Sequence, residues 1–164
     1  MRGAGGDVAD RAAEAGGRVP MTTDRDATEP DPDFGPLTLV ATERFAPARD
    51  GRVVVRRRWS GRVPALDCDL LIALDDAAPE DIAKNVRRDY HALCEAPKTV
   101  IEDVATRGHW RIGDPEEAVR CLSIAGITVV RDRIAVWLEQ GPPSRQRIEV
   151  VIADGAIVAV DYDP

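Results

Sequence analysis

The chain has few aromatic residues, few cysteines and no long apolar run. Aromatic side chains make up 4% of its 164 residues, so the core must be built mainly from Val, Ile, Leu and Ala. Three widely spaced cysteines, Cys68, Cys94 and Cys121, contain no Cys-x-x-Cys pair, which argues against a disulfide framework and fits a reducing cytoplasm. No segment approaches the roughly 18–20 apolar residues that span a bilayer, and the N-terminus lacks the apolar centre of a secretory signal. These absences predict a cytoplasmic protein with no membrane partner.

Lysine is also scarce, since Lys84 and Lys98 are the only two among 22 basic residues. The abundance of Ala, Arg, Asp, Val, Gly and Pro is typical of a GC-rich coding sequence and predicts a bacterial origin. The formal net charge is −7 and the pI about 4.9. A sequence-independent nucleic-acid binder needs surplus positive charge to release counterions, so this balance disfavours nucleic acid and favours a basic protein partner.

Residues 1–33 have almost no large apolar side chains, and their composition predicts a disordered tail that is acidic towards its end. It is either an inert extension, with Met21 an alternative start, or an acidic interaction arm. Residues 34–164 are predicted to form a single α+β domain.

Alternation of apolar residues predicts three strands before the helices. They run from Leu37 to Phe45, from Arg52 to Trp59, and from Leu66 to Leu74, with turns at Pro47–Gly51 and at Ser60-Gly61. In the third strand Leu66, Cys68, Leu70, Ile72 and Leu74 share one face at a period of two, and Asp67 and Asp69 lie on the other.

Helical spacing and capping signals predict two or three helices in the middle of the chain. One begins at Ala78-Pro79 and is interrupted by Pro97, and a second, short helix runs from Lys98 to Arg107, with Gly108 suited to the cap position after it. A third, brief helix is predicted from Asp114-Pro115 to about Leu122.

Three or four strands then close the chain, between Gly126 and Tyr162. Asp154-Gly155 suits a two-residue type I′ turn, because both turn residues must accept positive φ. That turn predicts that Ile152 faces Ile157, that Val150 faces Ala159, and that Ile148 faces Asp161. Val151, Val158, Val160 and Tyr162 would give the hairpin a second apolar face. The predicted fold is an antiparallel twisted sheet with the central helices packed on one face.

Three local patterns bear on chemistry, and each also has an ordinary structural interpretation. Asp67 and Asp69 can act as paired carboxylates of a hydrolase, but polar alternation on a solvated strand gives the same pattern. A basic band around Trp59 suits phosphate or single-stranded nucleic acid and consists of Arg49, Arg52, Arg56, Arg57, Arg58 and Arg62. Strand alternation sends Arg57 to the face opposite Arg56 and Arg58, however, and nearby acids can neutralise the band. His91 and Cys94 share a helix face, but a zinc site needs further ligands.

From Trp59 to Tyr162 the chain resembles bacterial domains of unknown function found in toxin–immunity neighbourhoods. The features that carry the resemblance are Trp59-Ser60-Gly61 before a strand, the helical middle, the acid-capped helix at Asp114–Leu122, and the final run Val-Ile-Ala-Asp-Gly-Ala-Ile-Val-Ala-Val. Those domains often have an aromatic–His element late in the chain, which this sequence lacks, so no functional residue is assigned from the resemblance.

These observations predict a small non-catalytic protein-interaction domain, in its most concrete form an immunity-like inhibitor of a basic partner. The candidate interaction residues are Arg52, Arg56, Arg58, Trp59, Asp67 and Asp69. The alternatives are a hydrolase-type enzyme that uses Asp67 and Asp69, and a nucleic-acid or phosphate-binding module that uses the Arg52–Arg62 band. The sequence identifies no catalytic residue, metal ligand or cofactor-binding motif.

Overall fold

The computed structural model describes residues 28–45, 52–107, 115–141 and 147–163. Four strands come first, then a short 3-10 helix and three α-helices, then four more strands. The elements are β1 (Thr28–Asp31), β2 (Gly35–Phe45), β3 (Val54–Val63), β4 (Cys68–Asp75), the 3-10 helix (Pro79–Asp81), α1 (Lys84–Glu95), α2 (Pro97–Arg107), α3 (Pro115–Cys121), β5 (Leu122–Val130), β6 (Arg133–Gln140), β7 (Arg147–Ala153) and β8 (Ala156–Asp163).

All eight strands belong to one sheet, in which the spatial order is the chain order. Every neighbouring pair is antiparallel except β4 and β5, which are parallel. The broad prediction of a mainly antiparallel sheet with a few helices is confirmed. The finer prediction is wrong in two respects, because four strands precede the helices and the central pair is parallel. A parallel pair needs a long crossover connection, which the helices provide.

The core lies between the helices and one face of the sheet. Leu70, Ile127, Val136 and Val150 are neighbours across four strands, and each is at most 1% exposed. Val86, Tyr90 and Leu93 of α1 and Ile101 and Val104 of α2 are also buried and belong to the same core cluster. Burying an aliphatic side chain of this size contributes about 1.5–3 kcal/mol.

The β3–β4 connection lies further along the chain than the sequence predicts. Ser60 and Gly61 are inside β3, and the turn is formed by residues 64–67, in which Leu66 N–H donates to the Val63 carbonyl at 3.1 Å. Gly61 marks a close approach of β2, because a Cβ there would lie 3.1 Å from Leu37 Cδ2 and 3.2 Å from the Pro36 carbonyl. The predicted alternation of buried residues in β4 is confirmed from Cys68 to Leu74.

Proline positions define the helices largely as predicted. The segment after Ala78 forms only a 3-10 turn, and α1 begins at Lys84. Pro97 separates α1 from α2, and α3 ends one residue before the predicted position. The predicted cap residues Gly108 and Asp114, and the predicted turn at residues 47–51, lie outside the described residues.

The first strand lies within the segment 1–33 that the composition predicts to be disordered. Residues 28–31 form β1, and a turn at residues 32–34 leads into β2. The prediction for residues 1–27 lies outside the described residues.

The β7–β8 hairpin has the predicted turn but only part of the predicted register. Asp154 and Gly155 have φ of 53° and 75°, as a type I′ turn requires, and Ile152 pairs with Ile157. A bulge then shifts the register, so Val150 pairs with Val160 and Ile148 with Tyr162. The predicted partners Ala159 and Asp161 are therefore wrong by one residue.

Helix α1 holds this turn through two side chains one helical turn apart. Asn85 Nδ2 donates to Asp154 Oδ1 at 2.8 Å, and Asp89 Oδ2 accepts the Gly155 N–H at 3.0 Å. The hairpin is thus fixed both by its own turn chemistry and by the helix beneath it.

Replacing Gly155 tests this turn. A Cβ at Gly155 would meet no atom closer than Asp89 Oδ1 at 4.0 Å, so the cost of a side chain comes from the positive φ rather than from a clash. We expect Gly155→Val to destabilise the protein by about 1–3 kcal/mol, because a β-branched residue is held in a disfavoured region. Gly155→Asn should cost much less, since asparagine tolerates the left-handed region. Thermal unfolding of both variants and of wild type is the measurement. If all three proteins have the same melting temperature, the turn assignment is contradicted.

Candidate interaction surface on the open sheet face

The sheet face opposite the helices, here called the open face, is covered by no helix among the described residues. Side chains alternate along β4–β7 between fully buried positions on the helix side and half-buried or exposed positions on the open face. A row of small or aliphatic residues crosses the middle of the open face. Its members are neighbours on five successive strands: Ser60, Leu71, Thr128, Ala135 and Val151.

A second row, one step along the strands, is rich in carboxylates. It consists of Asp69, Gly126, Trp137, Glu149 and Asp161, which are paired in that order from β4 to β8. We call these five residues the acidic row. Trp137 is half-buried, and its indole Nε1–H donates to Thr128 Oγ1 at 3.4 Å. Gly126, the residue paired with Trp137 on β5, contributes no side chain beside the indole.

The charges of the acidic row are poorly compensated. Glu149 and Asp161 lie directly opposite each other, an arrangement of like charges that destabilises a sheet. Neither carboxylate has an ion-pair partner among the described residues. Asp69 is paired with Arg62 at 2.8 Å, but its side chain is 78% exposed. The row therefore presents uncompensated negative charge at Glu149 and Asp161 on one side of a half-buried tryptophan, and an arginine-paired Asp69 on the other.

The predicted arginine band is divided by the strand, as its alternation implies. Arg56 and Arg58 lie on the open face, where they pair with Asp75 and Glu43. Trp59 is 4% exposed and lies in the core on the helix side, so it does not belong to the surface that carries these arginines. Arg52 lies two residues before the start of β3 and contacts Asp76 at 3.5 Å.

Arg131 and Arg133, at the turn between β5 and β6, line a groove on the open face together with Arg56 and Arg58. The groove has a volume of about 580 Å³. It is lined by Arg56, Arg58, Leu71, Ala73, Asp75, Val130, Arg131, Asp132 and Arg133. We call this the arginine groove. Sequence reasoning missed Arg131 and Arg133 because only the parallel pairing of β4 with β5 brings them to β3. Hydrogen bonds from Arg56 hold the pKa of Asp75 below its usual value.

The two carboxylates of the hydrolase hypothesis are exposed and share one arginine. Asp67 and Asp69 side chains are 93% and 78% exposed, and Arg62 contacts them at 2.5 and 2.8 Å. Asp67 lies in the turn, with φ of 50°, rather than on the strand face. Carboxylates neutralised by an arginine in open solvent do not form a concave acid–base site, so the geometry does not support this hypothesis.

His91 and Cys94 have separate partners. His91 Nε2 lies 2.7 Å from Asp33 Oδ1. Burial raises the pKa of the Cys94 thiol, although a hydrogen bond with Tyr90 opposes the shift, so the reactive thiolate is disfavoured. Within the described ranges no group of three or more His, Cys, Asp and Glu residues is placed to hold a metal ion.

A second cleft, of about 390 Å³, lies between α1, α2 and the β7–β8 hairpin. Its walls are mainly apolar, and the buried charged residue that lines it is Asp89, whose side chain is 1% exposed. Asp89 is already bonded to the Gly155 N–H and contacts Arg88 at 3.2 Å. The structural role of Asp89 therefore accounts for this buried carboxylate.

Comparison with protein-family models, with curated proteins and with solved structures finds no match for this chain. None of the helices in the described part of the chain is both long and apolar enough to cross a membrane.

The most buried ion-pair cluster joins the β1–β2 turn to α1. Arg87 donates to Asp31 Oδ1 and Oδ2 at 2.9 and 3.1 Å, to Asp33 Oδ2 at 2.5 Å and to the Pro79 carbonyl at 2.6 Å. Its guanidinium also lies 4.9 Å from the centre of the Phe34 ring. Burial alone would raise the pKa of Asp31, but hydrogen bonds from Arg87 and from backbone N–H groups lower it overall. Hydrogen bonds from His91 and Arg87 lower the pKa of Asp33.

Removing the Arg87 side chain should therefore weaken the attachment of the β1–β2 hairpin to α1. The Arg87 and Asp31 side chains are only 15% and 7% exposed, so we expect Arg87→Met to cost about 3 kcal/mol at pH 7, because it leaves buried carboxylates unpaired. Both aspartate pKa values are depressed in the folded state. The stability that the two ionised aspartates contribute is present above their unfolded pKa of 3.8 and is lost as the pH falls through their folded pKa values. The difference in unfolding free energy between Arg87→Met and wild type should therefore shrink below pH 3.8.

Denaturant titrations at pH 7 and pH 3 measure this difference. Arg62→Met is the matched control, since Arg62 also contacts two aspartates but in open solvent, and it should change stability little. Equal losses for the two variants at pH 7 would contradict a structural role for the Arg87 cluster.

Proposed function

We propose that this protein is a non-catalytic interaction domain that binds a basic protein partner through the acidic row, in the manner of an immunity-like inhibitor. The observation that supports this most is the like-charge pair Glu149–Asp161 beside the half-buried Trp137. Cross-strand repulsion of this kind lowers the stability of the sheet, and a cationic partner would relieve it. The immunity-like form of the proposal rests on the sequence resemblance.

The surface also has the features of an interface centre. Aromatic residues dominate the binding energy of many interfaces when polar neighbours surround them. Trp137 has that position, with Gly126 and Thr128 as small neighbours on one side and Glu149 on the other. The adjacent row of small and aliphatic residues lets a partner approach the sheet closely. Surplus carboxylates would steer a basic protein towards this face and speed its association.

The variant Glu149→Lys distinguishes a loss of binding from a loss of folding, because it should change the two in opposite directions. Because Asp161 lies opposite, Glu149→Lys replaces a repulsive pair by an attractive one, so we expect stability to rise by about 0.2–1 kcal/mol. The same change should weaken binding to the basic partner, with a smaller salt dependence. Trp137→Ala should weaken binding by about thirtyfold or more, as loss of an interface anchor does.

The experiment is a low-salt pull-down with wild type, Glu149→Lys, Trp137→Ala and Glu102→Lys as baits. Glu102 is exposed on α2, far from the open face in the fold, and its reversal changes the net charge equally. A basic protein that is retained by wild type and Glu102→Lys, and lost from the other two, would support the proposal; its affinity is then measured by calorimetry. The proposal fails if no basic protein is retained, or if all charge reversals weaken binding equally.

A further inference from the structure

The arginine groove lies on the open face, beyond the row of small residues and away from the acidic row. Arg56 and Arg58 project from β3, Arg131 lies in the β5–β6 turn, and Arg133 is the first residue of β6. Leu71, Ala73 and Val130 form an apolar floor between them. A volume of 580 Å³ is in the range of sites that hold small organic molecules.

Arg56 is held in place before any ligand arrives. Its Nε and one terminal nitrogen donate to the two oxygens of Asp75 at 2.6 and 2.9 Å, and its guanidinium lies 5.2 Å from the centre of the Phe45 ring. This bidentate contact uses one edge of the guanidinium, so the other terminal nitrogen is not engaged by Asp75. A guanidinium fixed in this way loses little conformational entropy when it binds an anion.

The arginines at the β5–β6 turn are less neutralised by carboxylates than those of β3. Arg133 contacts Asp132 only at 3.5 Å. Arg131 is exposed and makes no ion pair with any residue in the described part of the chain. Three of the four guanidinium groups in the groove thus have a carboxylate partner, Asp75, Glu43 or Asp132, and Arg131 leaves one positive charge in excess.

We propose that the arginine groove binds a small phosphate ester, with its phosphate at Arg131 and Arg133 and its organic part on the Leu71–Ala73–Val130 floor. Guanidinium groups match the geometry of phosphate oxygens, and an apolar floor would contribute nothing to a free inorganic ion. A nucleic-acid strand is disfavoured, because a polyanion that continued across the open face would meet Glu149 and Asp161. The ligand is thus a compact anion that stays inside the groove.

Phenyl phosphate is the probe, titrated into the ¹⁵N-labelled protein at about 0.15 M salt, where nonspecific surface attraction is largely screened. We expect saturable shifts of the backbone amide signals of Ala73, Val130 and Arg131. Inorganic phosphate should bind more weakly because it cannot use the floor, and benzoate more weakly because it lacks the phosphate oxygens. Arg131→Gln should weaken phenyl phosphate binding by about tenfold, the effect of one lost charge-assisted hydrogen bond.

Arg120→Gln is the matched control, because Arg120 is an exposed arginine on α3 outside the groove, and it should leave the affinity unchanged. Folding of both variants is checked by their unshifted core signals. Three results would each overturn the proposal: no saturable shift in the groove, equal binding of phenyl phosphate and inorganic phosphate or benzoate, or equal weakening by Arg120→Gln and Arg131→Gln. These measurements use no protein partner, so they stand apart from the function proposed for the acidic row.

Discussion

The parallel pairing of β4 with β5 is the constraint on which the rest of the structure depends. Two strands that run in the same direction cannot be joined by a tight turn, so the chain must cross from one end of the sheet to the other between them. The 3-10 helix and α1–α3 make that crossing. The helices occur together in the chain and cover one face of the sheet. The two antiparallel halves, β1–β4 and β5–β8, therefore share one core beneath the helices, and their other face is left open.

The same pairing assembles the open face from distant parts of the chain. It places Asp69 beside Gly126, and so beside Trp137, and it brings the β5–β6 turn to the arginines of β3. The result is an uneven distribution of charge, with the acidic row on one side of the small residues and the arginine groove on the other. A net charge of −7 describes neither side, since it averages over both.

Local patterns predicted much of the secondary structure, and long-range pairing accounts for what they missed. The alternation from Cys68 to Leu74, the helix break at Pro97 and the turn at Asp154-Gly155 each depend on neighbouring residues, and the structure confirms them. The parallel central pair depends on contacts across more than fifty residues, for which a single sequence carries no local signal. Trp59 shows the same limit: three arginines precede it in the sequence, but in the fold it belongs to the apolar core.

One bulged residue in the β7–β8 hairpin determines which β8 side chain lies in the acidic row. An unbroken ladder from the turn would pair Ile148 with Asp161 and place that carboxylate on the helix side of β8. The bulge leaves Val158 60% exposed and moves Val160 and Tyr162 to the helix side instead. Asp161 then lies on the open face opposite Glu149. Val160 packs against the core as a result, and the repulsive pair of the acidic row is a consequence of the same bulge.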